Sequence, residues 1–316
     1  MFLFDQSVRF LGRNTVTVLV FHKVPLVADP LVPDDPDLAA FIQVLDVVMA
    51  HFTIVPLDEV VTKHLAGTLP KNTACLTFDD GYADWSEGLV PVLLQRNAHA
   101  TFFVTAGQFD GLPMWHERVI YAIRHSALDV LDLTQMGVSP LPVKTIADKR
   151  VAIARLQVRL KYEPVAQRDN WLDQLESKCN VNKSFVSVMS KSDLRALHSK
   201  GFAIGSHTTN HPILTTATRG EAIDEIGGSK EWLESAISGK VHSFAYPNGR
   251  PTVDFSFEHA ELVKQAGYHY AVSTSYGVIR RTTDILTIPR FSPWGPGKFR
   301  MQAQILRNQF FVANQS

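Results

Sequence analysis

The run Ala74-Cys75-Leu76-Thr77-Phe78-Asp79-Asp80-Gly81-Tyr82 decides the fold. Its first five residues are a short, largely apolar stretch that reads as a buried strand. It then stops on two carboxylates and a glycine, and glycine permits a tight turn away from the strand. Further along, 202–205 reads as another strand and runs into Ser206-His207-Thr208-Thr209-Asn210-His211-Pro212. Chemistry-bearing residues at the ends of apolar strands are the pattern of parallel α/β barrels, whose functional groups gather at the C-terminal strand ends.

On both sides of this run, short β-branched stretches alternate with amphipathic segments. Strands are expected at 15–21, 53–55, 100–105, 242–245 and 268–273, with a last short one at 286–289. Helices are expected at 37–50, 57–65, 87–96, 192–199 (capped by Ser192), 220–238, 254–266 and 299–312. The helical spacing is clearest in 37–50, where Leu38, Phe41, Ile42, Leu45, Val48 and Met49 share a face. Strand-helix alternation argues a parallel sheet flanked by helices, with enough units for a closed or nearly closed barrel. The stretch 112–182 breaks the rhythm, and 145–178 within it is helical and strongly charged. It is expected to be an insertion in one domain spanning 1–316. Long insertions at the functional face often act, so a mobile cover over the cleft is one expectation and a peripheral or oligomer-forming helix pair the other.

Bulk properties exclude several classes. The chain has 316 residues, 45% apolar and 20% charged, ordinary for a globular protein. Lys plus Arg equals Asp plus Glu at 31 each, so nothing suggests an electrostatic nucleic-acid binder. No window is apolar for long enough to span a bilayer. The N-terminus lacks a basic region followed by a long apolar stretch, so a cytoplasmic enzyme, working near a membrane or away from one, is expected. Cys75 and Cys179 make no disulfide framework or CxxC pair, and Cys75 reads as a small buried thiol.

His207 and His211 are four apart, so a helical turn after the strand brings both imidazoles to one metal. A carboxylate completes the His-His-carboxylate set of open catalytic zinc sites. Of two adjacent carboxylates, one can bind metal while the other takes a proton from water. Taken singly, an HxxxH is commonly incidental and a DD pair is commonly a cap or a solvated face. Together, each at a strand end, they point to a catalytic metal centre. A third segment, Phe244-Ala245-Tyr246-Pro247-Asn248-Gly249, also follows a strand, and its tight loop can aim a backbone N–H at an oxyanion. His22 ends the strand 15–21 and should face the same cleft. It is a candidate proton donor, or else a positioning or packing residue. Arg290 ends the last expected strand. Its pKa is too high for proton donation, so electrostatic support for substrate or for Asp79 is expected of it. His99, His125 and His259 read as surface, Trp232 as packing, and Phe102 and Phe103 as core. Tyr82 and Trp85 read equally as substrate contacts or packing.

At these motifs, from about 16 to 290 apart from the insertion, the chain resembles the polysaccharide deacetylase family, carbohydrate esterase family 4, or NodB-homology domain. The resemblance implies a distorted (β/α) barrel that removes acetyl groups from polysaccharides. It implies Asp79 as catalytic base, Asp80, His207 and His211 as metal ligands, and the main-chain N–H of Asn248 as oxyanion donor. The implied cofactor is a divalent metal, zinc before cobalt or nickel, and the implied partner an N-acetylated carbohydrate. Ala245 stands where the family often has an arginine that steadies the base. Near the C-terminus, Leu286-Thr287-Ile288-Pro289-Arg290 stands where the family has a leucine-x-histidine proton donor, and the substrate-lining tryptophan segment has no clear counterpart. The FAYPNG loop, the Phe21-His22 strand end and Met114-Trp115-His116-Glu117-Arg118 are similar to subgroups of bacterial exopolysaccharide and surface-polysaccharide biosynthesis. Two other readings remain: a hydrolase of non-sugar amides on the same barrel, and a catalytically impaired carbohydrate-binding homologue.

Overall fold

A computed structural model describes residues 15–109, 113–181, 188–293, 295 and 297–311. In chain order the main elements are β1 (Val16–Phe21), α1 (Leu38–Met49), β2 (Thr53–Ile54), α2 (Leu57–Leu65), β3 (Thr73–Asp80), α3 (Val90–Gln95) and β4 (Thr101–Val104). There follow α4 (Trp115–His125), β5 (Val130–Leu133), β6 (Val138–Pro142), α5 (Ile146–Leu160), α6 (Val165–Cys179) and α7 (Lys191–Ser199). The chain then runs through β7 (Ala203–Ser206), α8 (Arg219–Ile223), α9 (Ser229–Ile237), β8 (Ser243–Ala245), α10 (Phe257–Gln265), β9 (Tyr270–Val272) and α11 (Lys298–Phe310).

The principal sheet is seven-stranded, ordered β1-β3-β4-β7-β8-β9, with β2 also on β3. Every pairing in it is parallel. The sheet curls into the expected distorted (β/α) barrel. Side chains alternate across β3. Ala74, Leu76 and Phe78 pack outward under the helices, whereas Cys75 joins Val16, Val18, Phe103 and Tyr270 in an apolar cluster inside the barrel. This period of two sends the adjacent Asp79 and Asp80 side chains into different surroundings.

The last strand expected at 286–289 does not form a ladder. The main chain of Ile288 bonds to Ala271 and Ser273 of the β9 edge, and that of Phe291 bonds to Val18 in β1. The segment crosses from one neighbour to the other within three residues, and Pro289 has no N–H to give. It closes the ring by isolated bridges. The cap of α7 is Ser190, not Ser192. Ser190 and Asp193 form a reciprocal capping box, a better match to S-x-x-D. The helices expected at 87–96 and 220–238 each carry a π-turn, at Trp85–Leu89 and Asp224–Gly228.

Residues 113–181 contain an antiparallel β5–β6 hairpin that has no counterpart among the expected strands. With α4, α5 and α6 it encloses a separate apolar core of Val119, Ile123, Leu141, Leu156, Leu172 and neighbours. Leu31, from the loop between β1 and α1, inserts into this core, and Arg124 pairs with Asp29 of that loop. Arg118, 6% exposed, fastens α4 to α6 through Glu176 at 2.7 Å and Asp173 at 2.6 Å.

Candidate active site

The C-terminal ends of β1, β3, β7 and β8 surround a cleft of about 790 Å³ that contains His22, Asp79, Asp80, His207, His211 and Asn248. The loop 31–35 and one stripe of α5 (Arg150, Ile153, Ala154, Gln157, Val158) form its outer walls.

At the end of β3 the backbone turns left-handed at Asp80 (φ 86°) and Gly81 (φ 93°). A Cβ on Gly81 would meet Val104 Cγ1 at 3.0 Å, so glycine serves both the turn and the close approach. The turn swings the Asp80 carboxylate across to β7. There Asp80 Oδ1 lies 3.4 Å from His207 Nε2 and 3.5 Å from His211 Nε2. His207 Nδ1 lies 2.7 Å from the carbonyl of Ala245, which only accepts, so Nδ1 carries the proton and Nε2 is free toward Asp80. Asp80, His207 and His211 thus converge as expected, but not through the expected helical turn: the loop after β7 bends left-handed at Thr208 (φ 66°) and His211 (φ 53°).

One ligand atom from each of these three residues lies within 4.8 Å of the others. Asp80 Oδ1 is buried without a hydrogen-bond partner among the described residues. Burial pushes the Asp80 carboxyl up, but His207, then His211, His22 and His116, hold it far below the usual range. Burial lowers His207, yet the adjacent Asp80 carboxylate, the Asp79 charge and the Ala245 carbonyl raise it above the ordinary imidazole value. Burial and the neighbouring His207 keep His211 well below it. An orphaned carboxylate oxygen and two converging imidazoles fit a divalent cation.

Asp79 faces the barrel interior beside this group. Arg290 grips it in a bidentate pair, Nη1 to Oδ1 at 2.7 Å and Nη2 to Oδ2 at 2.6 Å. Arg290 also donates from Nη1 to Thr77 Oγ1 at 3.1 Å and from Nε to the Ser273 carbonyl at 3.0 Å. Burial raises Asp79, but the Arg290 guanidinium and then His207 outweigh it, so its carboxyl sits below the usual range. A guanidinium thus contacts Asp79 even though Ala245 carries none, and it arrives from the barrel closure, 211 residues along the chain.

Asn248 holds a left-handed turn (φ 55°), a conformation asparagine tolerates. Its carbonyl is held by Thr274 Oγ1. His22 is exposed at the end of β1, and Trp85 Nε1 fixes its carbonyl at 2.8 Å. Trp85 is therefore packing. Tyr82 is also buried, but its hydroxyl lies 2.6 Å from His116 Nε2. His116 itself stands 3.9 Å from Asp80 Oδ2 and lines the cleft. Beside it Glu117 pairs with Lys23 at 2.7 Å. His116 was legible only as part of the Met114–Arg118 likeness; nothing in its spacing ties it to Asp80.

The polysaccharide deacetylase family profile matches residues 66–138 and 169–271. The chain belongs to the polysaccharide deacetylase family. The matched residues include β3 with its two aspartates and the whole loop carrying His207 and His211, and they omit 139–168, which holds α5. A search of curated sequences finds no match. Among solved structures, the Streptococcus pyogenes deacetylase PplD in complex with acetate has a TM-score of 0.60 at 16% identity, covering 92% of this chain and 97% of its own. IcaB from Ammonifex degensii has a TM-score of 0.59 at 18% identity, covering 94% and 97%. A de-N-acetylase from Aggregatibacter actinomycetemcomitans has 0.55 at 15%, covering 88% and 94%. At these identities the likeness is one of fold. Among the described residues, no helix of this deacetylase is long and apolar enough to cross a membrane.

Proposed function

We propose that the protein is a metal-dependent N-deacetylase acting on N-acetylated sugars of a polysaccharide or glycan precursor. The observation that carries the reading is the convergence of Asp80, His207 and His211 around an orphaned carboxylate oxygen, with a second, separately held carboxylate beside them. A divalent cation held by these three residues, zinc before cobalt or nickel, supplies Lewis acidity toward the acetyl carbonyl and toward water.

The chain's own groups carry the remaining work. Asp79 takes the proton of the attacking water. Its bidentate pair with Arg290 keeps the carboxylate ionised and fixes its plane. The Asn248 main chain, in its tight loop, donates to the oxyanion. His22 reaches the cleft from the C-terminal end of β1 and protonates the departing amine, which is otherwise a very poor leaving group. The cleft is extended and walled by α5 and the loop 31–35, which suits a sugar chain better than a small amide. The de-N-acetylase among the structural neighbours supports an N-acetyl rather than an O-acetyl group as the one removed. In this reading the chain is one catalytic domain, and about 112–182 is an insertion that shapes the cleft. The FAYPNG loop and the Met114–Arg118 segment favour polysaccharide biosynthesis over degradation.

The test is metal analysis of the purified protein joined to acetate release from N-acetylglucosamine oligomers and from a panel of small amides. One metal per chain and acetate from the oligomers are expected. Turnover of small amides alone would move the substrate class, and metal without turnover would make the chain a binding homologue.

A further inference from the structure

The loop that carries His207 and His211 bends into the left-handed region twice, at Thr208 (φ 66°) and at His211 (φ 53°). A β-branched residue avoids that region, and such a conformation persists only where its surroundings over-determine it. Here they do. Glu225 accepts the main-chain N–H groups of Thr209 and Asn210 on one oxygen, both at 2.8 Å. It takes the Asn210 side-chain amide on the other at 2.7 Å. From the opposite side Arg168 donates to the carbonyls of Asn210 at 2.8 Å and His211 at 3.1 Å. Arg168 is 2% exposed and Glu225 8%. Each reaches the loop from an irregular part of the chain: Glu225 from the π-turn Asp224–Gly228, and Arg168 from α6 in the segment that interrupts the barrel.

The two histidines are aimed differently. His207 is held through its ring, by the Ala245 carbonyl on Nδ1. His211 Nδ1 has no hydrogen-bond partner among the described residues, so its direction is set through its main chain, where Arg168 grips. Arginine suits the task because one planar guanidinium spans two successive carbonyls. Its plane is steadied over the Trp115 ring, 5.3 Å from the centroid. Trp115 belongs to α4, and Arg118 on the same helix ties α4 to α6, so the grip is backed by the segment's own core.

We infer that Arg168 and Glu225 are positioning residues, a charged clamp that sets the aim of His211 and makes α6 a structural part of the metal centre. The inference rests on the assignment of Asp80, His207 and His211 as ligands. Metal-site partners of this kind typically alter affinity about 10–100-fold when removed.

The experiment uses the full chain with Arg168→Met, Arg168→Lys and Glu225→Gln. One readout is zinc affinity by chelator competition. The other is amide hydrogen exchange across 206–213 in metal-free protein. Arg168→Met is expected to bind zinc about 10–100-fold more weakly, with faster exchange confined to the loop. Arg168→Lys should fall between it and wild type. Added guanidinium ion should restore part of the affinity of Arg168→Met and none of that of His211→Ala. A folded Arg168→Met with wild-type zinc affinity and unchanged loop exchange overturns the clamp. If Arg168→Met does not fold, Glu225→Gln is measured by the same two readouts, and wild-type values in both overturn the clamp equally. If wild type binds no zinc, the ligand assignment fails, while loop exchange still decides whether the clamp holds its conformation.

Discussion

Replacing Arg290 by methionine should be among the most damaging single changes outside the ligands. The Arg290 and Asp79 side chains are 0% and 2% exposed, so water screens neither. Two charges roughly 4 Å apart at an effective dielectric near 20 attract by about 4 kcal/mol. Removing one member of a buried pair typically costs about 3–5 kcal/mol, because the other charge is stranded. Against a total stability of about 5–15 kcal/mol for a domain, that is a large share. The pH dependence has a definite sign. In wild type the Asp79 pKa lies below its ordinary value of 3.8, so the pair's contribution is present above about pH 4 and is lost as pH falls through the folded value. In Arg290→Met burial dominates, the carboxyl titrates higher than when unfolded, and that variant loses stability as pH rises. The gap between the proteins should widen from about pH 4 to about pH 7. Urea unfolding of metal-free protein measures it, in a cycle with Asp79→Asn. The double variant should be more stable than Arg290→Met alone. A loss under about 1 kcal/mol at pH 7, or a coupling energy near zero, would refute the reasoning.

Asp79→Asn should keep the metal, lose some stability because the Arg290 charge is left uncompensated, and lower kcat about 10²–10⁴-fold, whereas Asp80→Asn should weaken metal binding; exchanged phenotypes would reverse the roles. His22→Gln should lose the alkaline limb of the kcat–pH profile with metal retained, and an unchanged profile removes His22 from the mechanism. Deleting 145–178 should lower metal occupancy as well as raise KM, because Arg168 leaves with it; a folded deletion with full metal would show the segment to be a separable cover. Burial pushes the Asp84 carboxyl up to about 6, so its effect on stability is favourable below the ordinary carboxylate value and is lost as pH rises through about 6. Asp84→Asn can still accept the Val24 N–H and should flatten the fall in melting temperature between about pH 4 and about pH 6.

The parallel strands and helices of the barrel were legible because a strand buried on both faces writes a nearly continuous apolar run, as 74–78 and 100–104 do. The boundaries that failed share a cause. Around 286–291 the chain serves two different neighbours through single bridges, and no local pattern encodes a change of partner. The π-turn at Asp224–Gly228 is invisible because a one-residue insertion barely disturbs helical periodicity, although it is what presents Glu225 to the metal-ligand loop.

The sequence by itself determined which residue types stand at the ends of the barrel strands. Strand period and a glycine are local and were enough to place Asp79, Asp80 and His207 on one rim, whereas the helical turn expected to bring in His211 is absent and the loop bends left-handed at Thr208 and His211 instead. Only the tertiary structure decided what holds them there. Of the two roles the sequence left open for Arg290, the fold selects the guanidinium on Asp79; the brace on His211 from Arg168 in α6 and the imidazole beside Asp80 from His116 in α4 come from the fold alone. Each is a pairing between residues distant in the chain. It is stable only because folding removes both partners from water, and burial of that kind leaves no periodic mark in the sequence.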